Sequence, residues 1–223
     1  MQNSSTSTTF SDQLWADNKP IFDTICRHPF IEQLIEGSLP AAIFSNYILQ
    51  DTLYLTDYAK ALTSIAAIAP QPTHLRLFAN YAVDAIRTEE ELHAQFLSNL
   101  PIPTITDKNL ACLAYTSYLM AQVRTKPYEV ALAAVFPCFW IYEQVGRYAY
   151  NRATLADHPY APWLATYSGD VFEKLTQEMI QLVNEAAGSV SHQTRQEMQR
   201  AYSIASRLEY QFWDDAYHMR SFV

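Results

Sequence analysis

The chain has 223 residues, 49% hydrophobic and only 17% charged, with a net charge of −8. That length and apolar content suffice for one sizeable core, and the charged share is low enough that part of the surface is expected to be covered in an oligomer. The acidic balance repels phosphate backbones and argues against nucleic-acid binding; there is no basic amphipathic helix for a membrane surface, and the longest nearly apolar stretch, Val130 to Tyr142, is too short to span a bilayer.

In chain order, residues 1–9 are polar, without the apolar stretch of a secretory signal, and are expected to be flexible. The first helix runs from Phe10 to Cys26, with Pro20 as a possible bend. After His28-Pro29 a short helix covers Phe30 to Glu36 and stops at Gly37. Ser38 is the expected N-cap of a long helix reaching about Ala69. Pro70 and Pro72 precede a third long helix, roughly Thr73 to Leu100, ended by Pro101 and Pro103. The next is expected near Thr106, capped by Asp107, and runs to about Arg124. Pro127 opens another in its first turn, which continues towards Tyr148 with Pro137 inside it. A loop containing His158-Pro159 and Pro162 follows. A helix from about Ser168 to Ala187 stops at Gly188, and Ser191 caps the last. Glycine is scarce, with four in the chain, and neither a G-x-G-x-x-G nor a phosphate-binding loop is present. The fold is therefore read as all-α, with seven or eight helices forming one domain over residues 1–223.

Cys26, Cys112 and Cys138 are an odd, widely spaced set with no C-x-x-C, so neither a disulfide framework nor a zinc knuckle is expected; free thiols fit a reducing cytoplasm. Pro137 directly precedes Cys138 within an apolar run. A proline inside a helix removes one backbone hydrogen bond, which can turn the next residue towards a cavity, with Tyr142 four residues on sharing that face. The plain reading is a packed core cysteine. Asp51, Tyr54 and Tyr58 fall on one helix face, where a carboxylate flanked by phenols could hold the edge of a polar ring; equally, Asp51 could cap a neighbouring helix or lie in solvent. Glu209 shares a face with Phe212 and Trp213. Desolvation there would raise its pKa into the range of a proton donor, whereas a solvated helix face would leave it ordinary. Tyr115, Tyr118, Trp163 and Tyr167 form a further aromatic group. A different chemistry is offered by Glu90 with His93 and Asp215 with His218, an E-x-x-H and a D-x-x-H of the kind that hold two metal ions in helical bundles.

Several spaced motifs together resemble the TenA family, the thiaminase II enzymes. They are His28-Pro29-Phe30, Gly37-Ser38-Leu39-Pro40, Gln50-Asp51-Thr52-Leu53-Tyr54-Leu55, Glu91-Leu92-His93 and Ala114-Tyr115-Thr116-Ser117-Tyr118. Then follow Pro137-Cys138-Phe139-Trp140-Ile141-Tyr142, Trp163-Leu164-Ala165-Thr166-Tyr167 and Glu209-Tyr210-Gln211-Phe212-Trp213-Asp214. The ordered set spans about residues 10 to 220. The resemblance implies a single-domain helical bundle like haem oxygenase, commonly a homotetramer, without metal or organic cofactor. It implies hydrolysis of aminopyrimidines such as 4-amino-5-aminomethyl-2-methylpyrimidine to the hydroxymethyl compound, and in many members cleavage of thiamin.

By that resemblance Cys138 is the nucleophile and Glu209 the acid/base. Asp51 holds the amino edge of the pyrimidine, and Tyr54, Tyr115, Tyr142 and Tyr167 line the pocket. Thr52-Leu53 departs from the aromatic residues many members carry there, which bears on the pocket rim and the leaving group. Two other function classes stand against this one: a di-iron oxygenase using Glu90, His93, Asp215 and His218, and a regulatory protein without catalysis.

Overall fold

The computed structural model describes residues 8–96 and 107–221, the side chains of Glu89 and of residues 92–96 excepted. Among these residues there are nine α-helices and no strand: α1 Phe10–Cys26, α2 Pro29–Glu36, α3 Ala41–Ile68, α4 Pro72–Phe96, α5 Leu110–Thr125, α6 Tyr128–Tyr150, α7 Ala161–Ser168, α8 Asp170–Ser189 and α9 His192–Tyr217. None is long and apolar enough to cross a membrane. The all-α expectation holds. The proposed ends at Pro101 and Pro103, the start at Thr106 and the first seven residues lie outside the described residues.

Helix α6 is the centre. It packs most extensively on α9 and also touches α7, α8, α5, α3, α1 and α2, and Val130 to Pro137 are all buried. An all-round apolar sequence is what a helix surrounded by others requires. Pro137 cannot donate to the carbonyl four residues back, yet the helix runs through it without interruption. Tyr58 of α3 donates its hydroxyl to the Val135 carbonyl in that turn at 2.8 Å.

Several boundaries differ from expectation, each for a local reason. Ser38 does not cap α3. The amides of Ser38 and Leu39 bond back to the Gln33 carbonyl at 2.9 and 3.1 Å, because Gly37 at φ +72° turns the chain into the left-handed region that ends α2. Ser38 thus belongs to the end of α2, and α3 starts after Pro40. The cap of α5 is Asn109, not Asp107: its side chain accepts from the Cys112 amide at 2.8 Å. Gln50 of α3 fixes that cap by accepting from the Asn109 amide at 2.9 Å and donating to the Asp107 carbonyl at 3.2 Å. Pro162 opens α7 rather than a loop, since a first-turn proline has no amide to lose. An extended Gly169 separates α7 from α8, which runs through Gly188 to Ser189. Pro127 lies at the N-cap of α6, one position before its first turn. The capping by Ser191 holds, its side chain accepting from the Thr194 amide at 3.2 Å.

His28 acts at both ring nitrogens. Nδ1 accepts from the Phe30 amide at 3.1 Å and caps α2, which assigns the proton to Nε2, 3.2 Å from Asp214 of α9. Burial lowers the His28 pKa, with Asp214 opposing. One buried imidazole therefore joins the start of α2 to the end of α9.

Gly146 sets the distance between α6 and α7. A Cβ there would lie 2.6 Å from the Cβ, carbonyl carbon and carbonyl oxygen of Tyr167. The contact involves α7 backbone, so no rotamer change relieves it. Gly146→Ala must push α7 outward, and overpacking of this kind costs about 1–3 kcal/mol. A melting curve should show a Tm lowered by roughly 2–12 °C. An unchanged Tm would mean that α7 is not held by this contact.

Candidate active site

Helix α3 carries Tyr47, Asp51, Tyr54 and Tyr58, at spacings of four, three and four residues, so all four project from one stripe. All are buried. Facing them are Tyr115 of α5, Cys138 and Tyr142 of α6, Trp163 and Tyr167 of α7, and Glu209, Phe212 and Trp213 of α9. The rings form a continuous shell. Tyr54 lies 5.0 Å from Tyr115 and 5.6 Å from Phe212 between centroids. Tyr142 lies 5.0 Å from Tyr167 and 4.9 Å from Trp213. Trp163 donates its indole N–H to the Tyr47 hydroxyl at 3.3 Å, and Tyr47 donates to the Tyr142 hydroxyl at 3.4 Å.

A cavity with mostly apolar walls opens from this shell. Cys138, Tyr58, Tyr142 and Tyr167 form its buried end. Of the three free cysteines, Cys26 and Cys112 are buried and Cys138 is half-buried; Cys138 alone lines the cavity. Cys112 points its thiol at the Gln50 carbonyl, 3.6 Å away, and burial pushes it up to about 12; Cys26 is likewise pushed up to about 12. These two are packing residues. Thr52 and Leu53 do not line the cavity, whereas Leu55 does, so the rim expectation attached to that pair is not met.

Tyr142 and Tyr167 line the cavity as expected, whereas Tyr54 and Tyr115 lie behind its wall with Asp51 and Glu209, which are 3% and 1% exposed. Desolvation raises the Glu209 pKa to about 8; the Tyr115 hydrogen bond opposes the shift and the nearby Asp51 charge adds to it. Tyr115 donates to Glu209 Oε1 at 2.7 Å. Glu209 therefore keeps its proton at neutral pH. The Cys138 thiol is also raised, first by burial and next by the charge of Glu209, while the Tyr54 and Tyr58 hydroxyls pull it down. Thiol, phenols and the two carboxylates thus share one low-dielectric region and feel one another's charge.

The structure brings Cys138, Glu209, Asp51, Tyr54, Tyr115, Tyr142 and Tyr167 together. Sequence patterns give Tyr47 no place in the site, and they mark Tyr58 and, beside Glu209, Trp213 without making either a pocket residue. The period of the α3 stripe, extended one turn in each direction from Asp51 and Tyr54, reaches Tyr47 and Tyr58.

Three members of the alternative metal set, Glu90, Asp215 and His218, have side chains among the described residues, and none of the three faces the cavity. Asp215 accepts from the Ala111 amide at 3.0 Å and pairs with Arg220 at 2.8 Å. His218 bonds to the Asp214 carbonyl of its own helix at 2.8 Å. Glu90 is exposed in a surface groove between α3 and α4, and the His93 side chain lies outside the described residues. Among the described residues, no three His, Cys, Asp or Glu side chains group so as to hold a metal ion.

A buried carboxyl that keeps its proton weakens the fold as pH rises. Between about 4.5 and 8 the unfolded chain ionises at this residue while the folded chain does not, so ionisation draws the equilibrium towards unfolding. In Glu209→Gln this pull is gone. Relative to wild type, the variant should gain a few kcal/mol of stability from pH 5 to pH 8.5, at about 1.4 kcal/mol per pKa unit. Denaturant unfolding at both pH values measures it; a constant difference would show that Glu209 ionises normally.

Comparison with known proteins identifies the family. The sequence profile of the TENA/THI-4/PQQC family matches residues 15–219. An aminopyrimidine aminohydrolase of Bacillus subtilis is 34% identical, over 85% of this chain and 82% of that protein. One of Halalkalibacterium halodurans is 29% identical, over 95% and 97%. The solved TenA homologue of P. horikoshii superposes with a TM-score of 0.84 at 27% identity, covering 94% of this chain and 99% of that one. A domain from Shewanella denitrificans with a heme oxygenase-like fold superposes at 0.73 and 15% identity, covering 93% and 91%, a likeness of fold alone. The chain belongs to the TENA/THI-4/PQQC family.

Proposed function

We propose that this chain is a thiamin-salvage hydrolase that replaces the amine on the exocyclic CH₂ of an aminopyrimidine with hydroxyl, and cleaves thiamin by the same route. One observation carries the reading: the thiol that opens on the cavity shares its buried region with a carboxyl that keeps its proton at neutral pH. That combination suits nucleophilic addition to a ring that must be protonated to accept it.

The steps follow from the residues present. The ring passes the Cys138 end of the cavity into the aromatic shell of Tyr54, Tyr115, Tyr142 and Tyr167, whose side chains part to admit it, and there Asp51 accepts from its amino group. Glu209 gives its proton to a ring nitrogen. As the Cys138 sulfur bonds to a ring carbon, the resulting Glu209 carboxylate takes the thiol proton, so Glu209 ends the step neutral again. The ring's electron pair then expels the leaving group, and the exocyclic C–N bond breaks to give a methylene. Water adds to that methylene and gives up one proton. The C–S bond breaks, the sulfur recovers a proton and the ring nitrogen loses the one it gained. The net change is one water consumed and one amine, or the thiazole of thiamin, released. Cysteine suits both halves because its sulfur attacks well and leaves well.

The same reading makes residues 1–223 one helical domain, acting in a reducing cytoplasm where three free thiols persist and assembled as a homotetramer. Exposed Leu75, Val83 and Leu110 on α4 and α5 are apolar surface of the kind that assembly would cover.

Cys138→Ser tests the chemistry. Turnover of the aminomethylpyrimidine should fall below about 1% of wild type, because a serine hydroxyl at neutral pH is a far weaker nucleophile. Calorimetric binding of the hydroxymethyl product should stay within a few-fold. Near-wild-type turnover would remove Cys138 from the mechanism.

A further inference from the structure

The cavity that begins at Cys138 ends at α4. Tyr81, Asp84, Ala85 and Thr88 line that far end, at spacings of three, one and three residues, so they form one stripe of α4. Between the two ends the walls are apolar, with Leu55 and Leu62 of α3 on one side and Phe172 and Leu175 of α8 on the other. The Asp84 side chain is 45% exposed, so this end meets solvent, whereas Tyr58 and Tyr142 at the other end are buried.

Apart from the phenols and Cys138, Asp84 is the one ionisable side chain among the described residues lining the cavity, and no Lys, Arg or His lines it. Its ion-pair partner Arg87 stands 3.7 Å away and is 65% exposed. Arg87 lines the groove on the other side of α4, with Thr56, Lys60 and Thr63. An exposed pair at that distance binds weakly, and Arg87 offsets the Asp84 charge only in part, from outside the cavity. A second carboxylate reinforces the first: Tyr81 donates its hydroxyl to Glu178 Oε2 at 2.8 Å, and both Glu178 and Asp84 raise the Tyr81 pKa. The solvent end of an apolar-walled channel thus presents the Asp84 carboxylate, with Arg87, its partner, set outside the cavity. Low-dielectric walls concentrate such a field on whatever enters.

We propose that this end of the cavity is a cation subsite in which Asp84 receives the positively charged leaving group, the exocyclic ammonium of an aminomethylpyrimidine or the thiazolium of thiamin. This rests on the function proposed above and adds a selectivity to it. With the ring at Cys138, a substituent on the exocyclic CH₂ points along the cavity towards α4. A cationic substituent gains from the Asp84 charge, a neutral hydroxyl gains nothing, and a leaving group bearing a phosphate ester is repelled. The same charge favours release of product, because the hydroxymethyl compound has no cation to hold.

The test is Asp84→Asn, with Asp84→Lys as the reversed charge. Asp84 is on the surface, and circular dichroism melts check that both variants fold. At low ionic strength Asp84→Asn should raise KM for the aminomethylpyrimidine and for thiamin by about 3–10-fold, and Asp84→Lys by more. The Kd of the neutral hydroxymethyl product should stay within 2-fold, and KM for thiamin monophosphate should fall in Asp84→Lys. Raising salt should raise KM of wild type and leave that of Asp84→Asn flat. If KM of the cationic substrates and Kd of the neutral product move together, or not at all, the subsite is wrong while the hydrolase reading stands. A wild-type protein that turns over neither substrate would instead remove the hydrolase reading on which the subsite rests.

Discussion

Glu209 is a carboxyl group held at 1% exposure inside a shell of aromatic rings. Ionised, it would have to be stabilised by one phenol, Tyr115 at 2.7 Å, against desolvation and against the neighbouring charge of Asp51. Two carboxylates in one low-dielectric space do not both ionise easily, and the Glu209 pKa is raised to about 8. Glu209 thus holds at neutral pH a proton that an exposed glutamate would have lost, and in the proposed mechanism a ring nitrogen brought beside it receives that proton. The raised thiol of Cys138 fits the same balance. It is not a standing thiolate; in the proposed mechanism it gives up its proton as Glu209 loses one, so that nucleophile and acid would form one relay.

The scaffold is arranged to hold these groups at depth. Glu209 lies in α9, which is packed against α6, α5, α1 and α3. Its C-terminal end is tied by His28 to α2 at 3.2 Å and by Asn46 of α3, which donates to the Ala216 carbonyl at 3.0 Å. Gln50, beside Asp51, does not face the cavity; it pins the start of α5, the helix that carries Tyr115. Gly146 lets α7 approach α6 closely enough for Tyr167 to meet Tyr142. Residues outside the aromatic shell thus fix those that form it.

Much of this arrangement was legible in the sequence. The helical periodicity marked out the long helices, and the spaced motifs named Asp51, Tyr54, Tyr115, Cys138, Tyr142, Tyr167 and Glu209, which the fold brings into one shell. What was not legible depends on partners distant in the chain. Asp107 has the chemistry of a cap, but Gln50 fixes the chain so that Asn109 takes the role. Pro162 looked like a loop residue because a proline is compatible both with a loop and with the first turn of a helix. Tyr81 and Asp84 belong to a helix with an ordinary solvated pattern, and only the packing of α4 on α3 turns that stripe to the cavity. The Glu209 pKa depends on depth, which the neighbouring Phe212 and Trp213 indicate but do not fix.

The most direct test concerns the proton on Glu209. Infrared difference spectroscopy of the ligand-free protein, wild type minus Glu209→Gln, isolates this carboxyl. A protonated C=O stretch should be present at pH 7, absent from the variant, and lost on titration with a midpoint of about 8. A group that has already ionised by pH 7, titrating near the ordinary 4.5, would contradict the account, since no proton would then be available for the ring nitrogen when the Cys138 sulfur attacks.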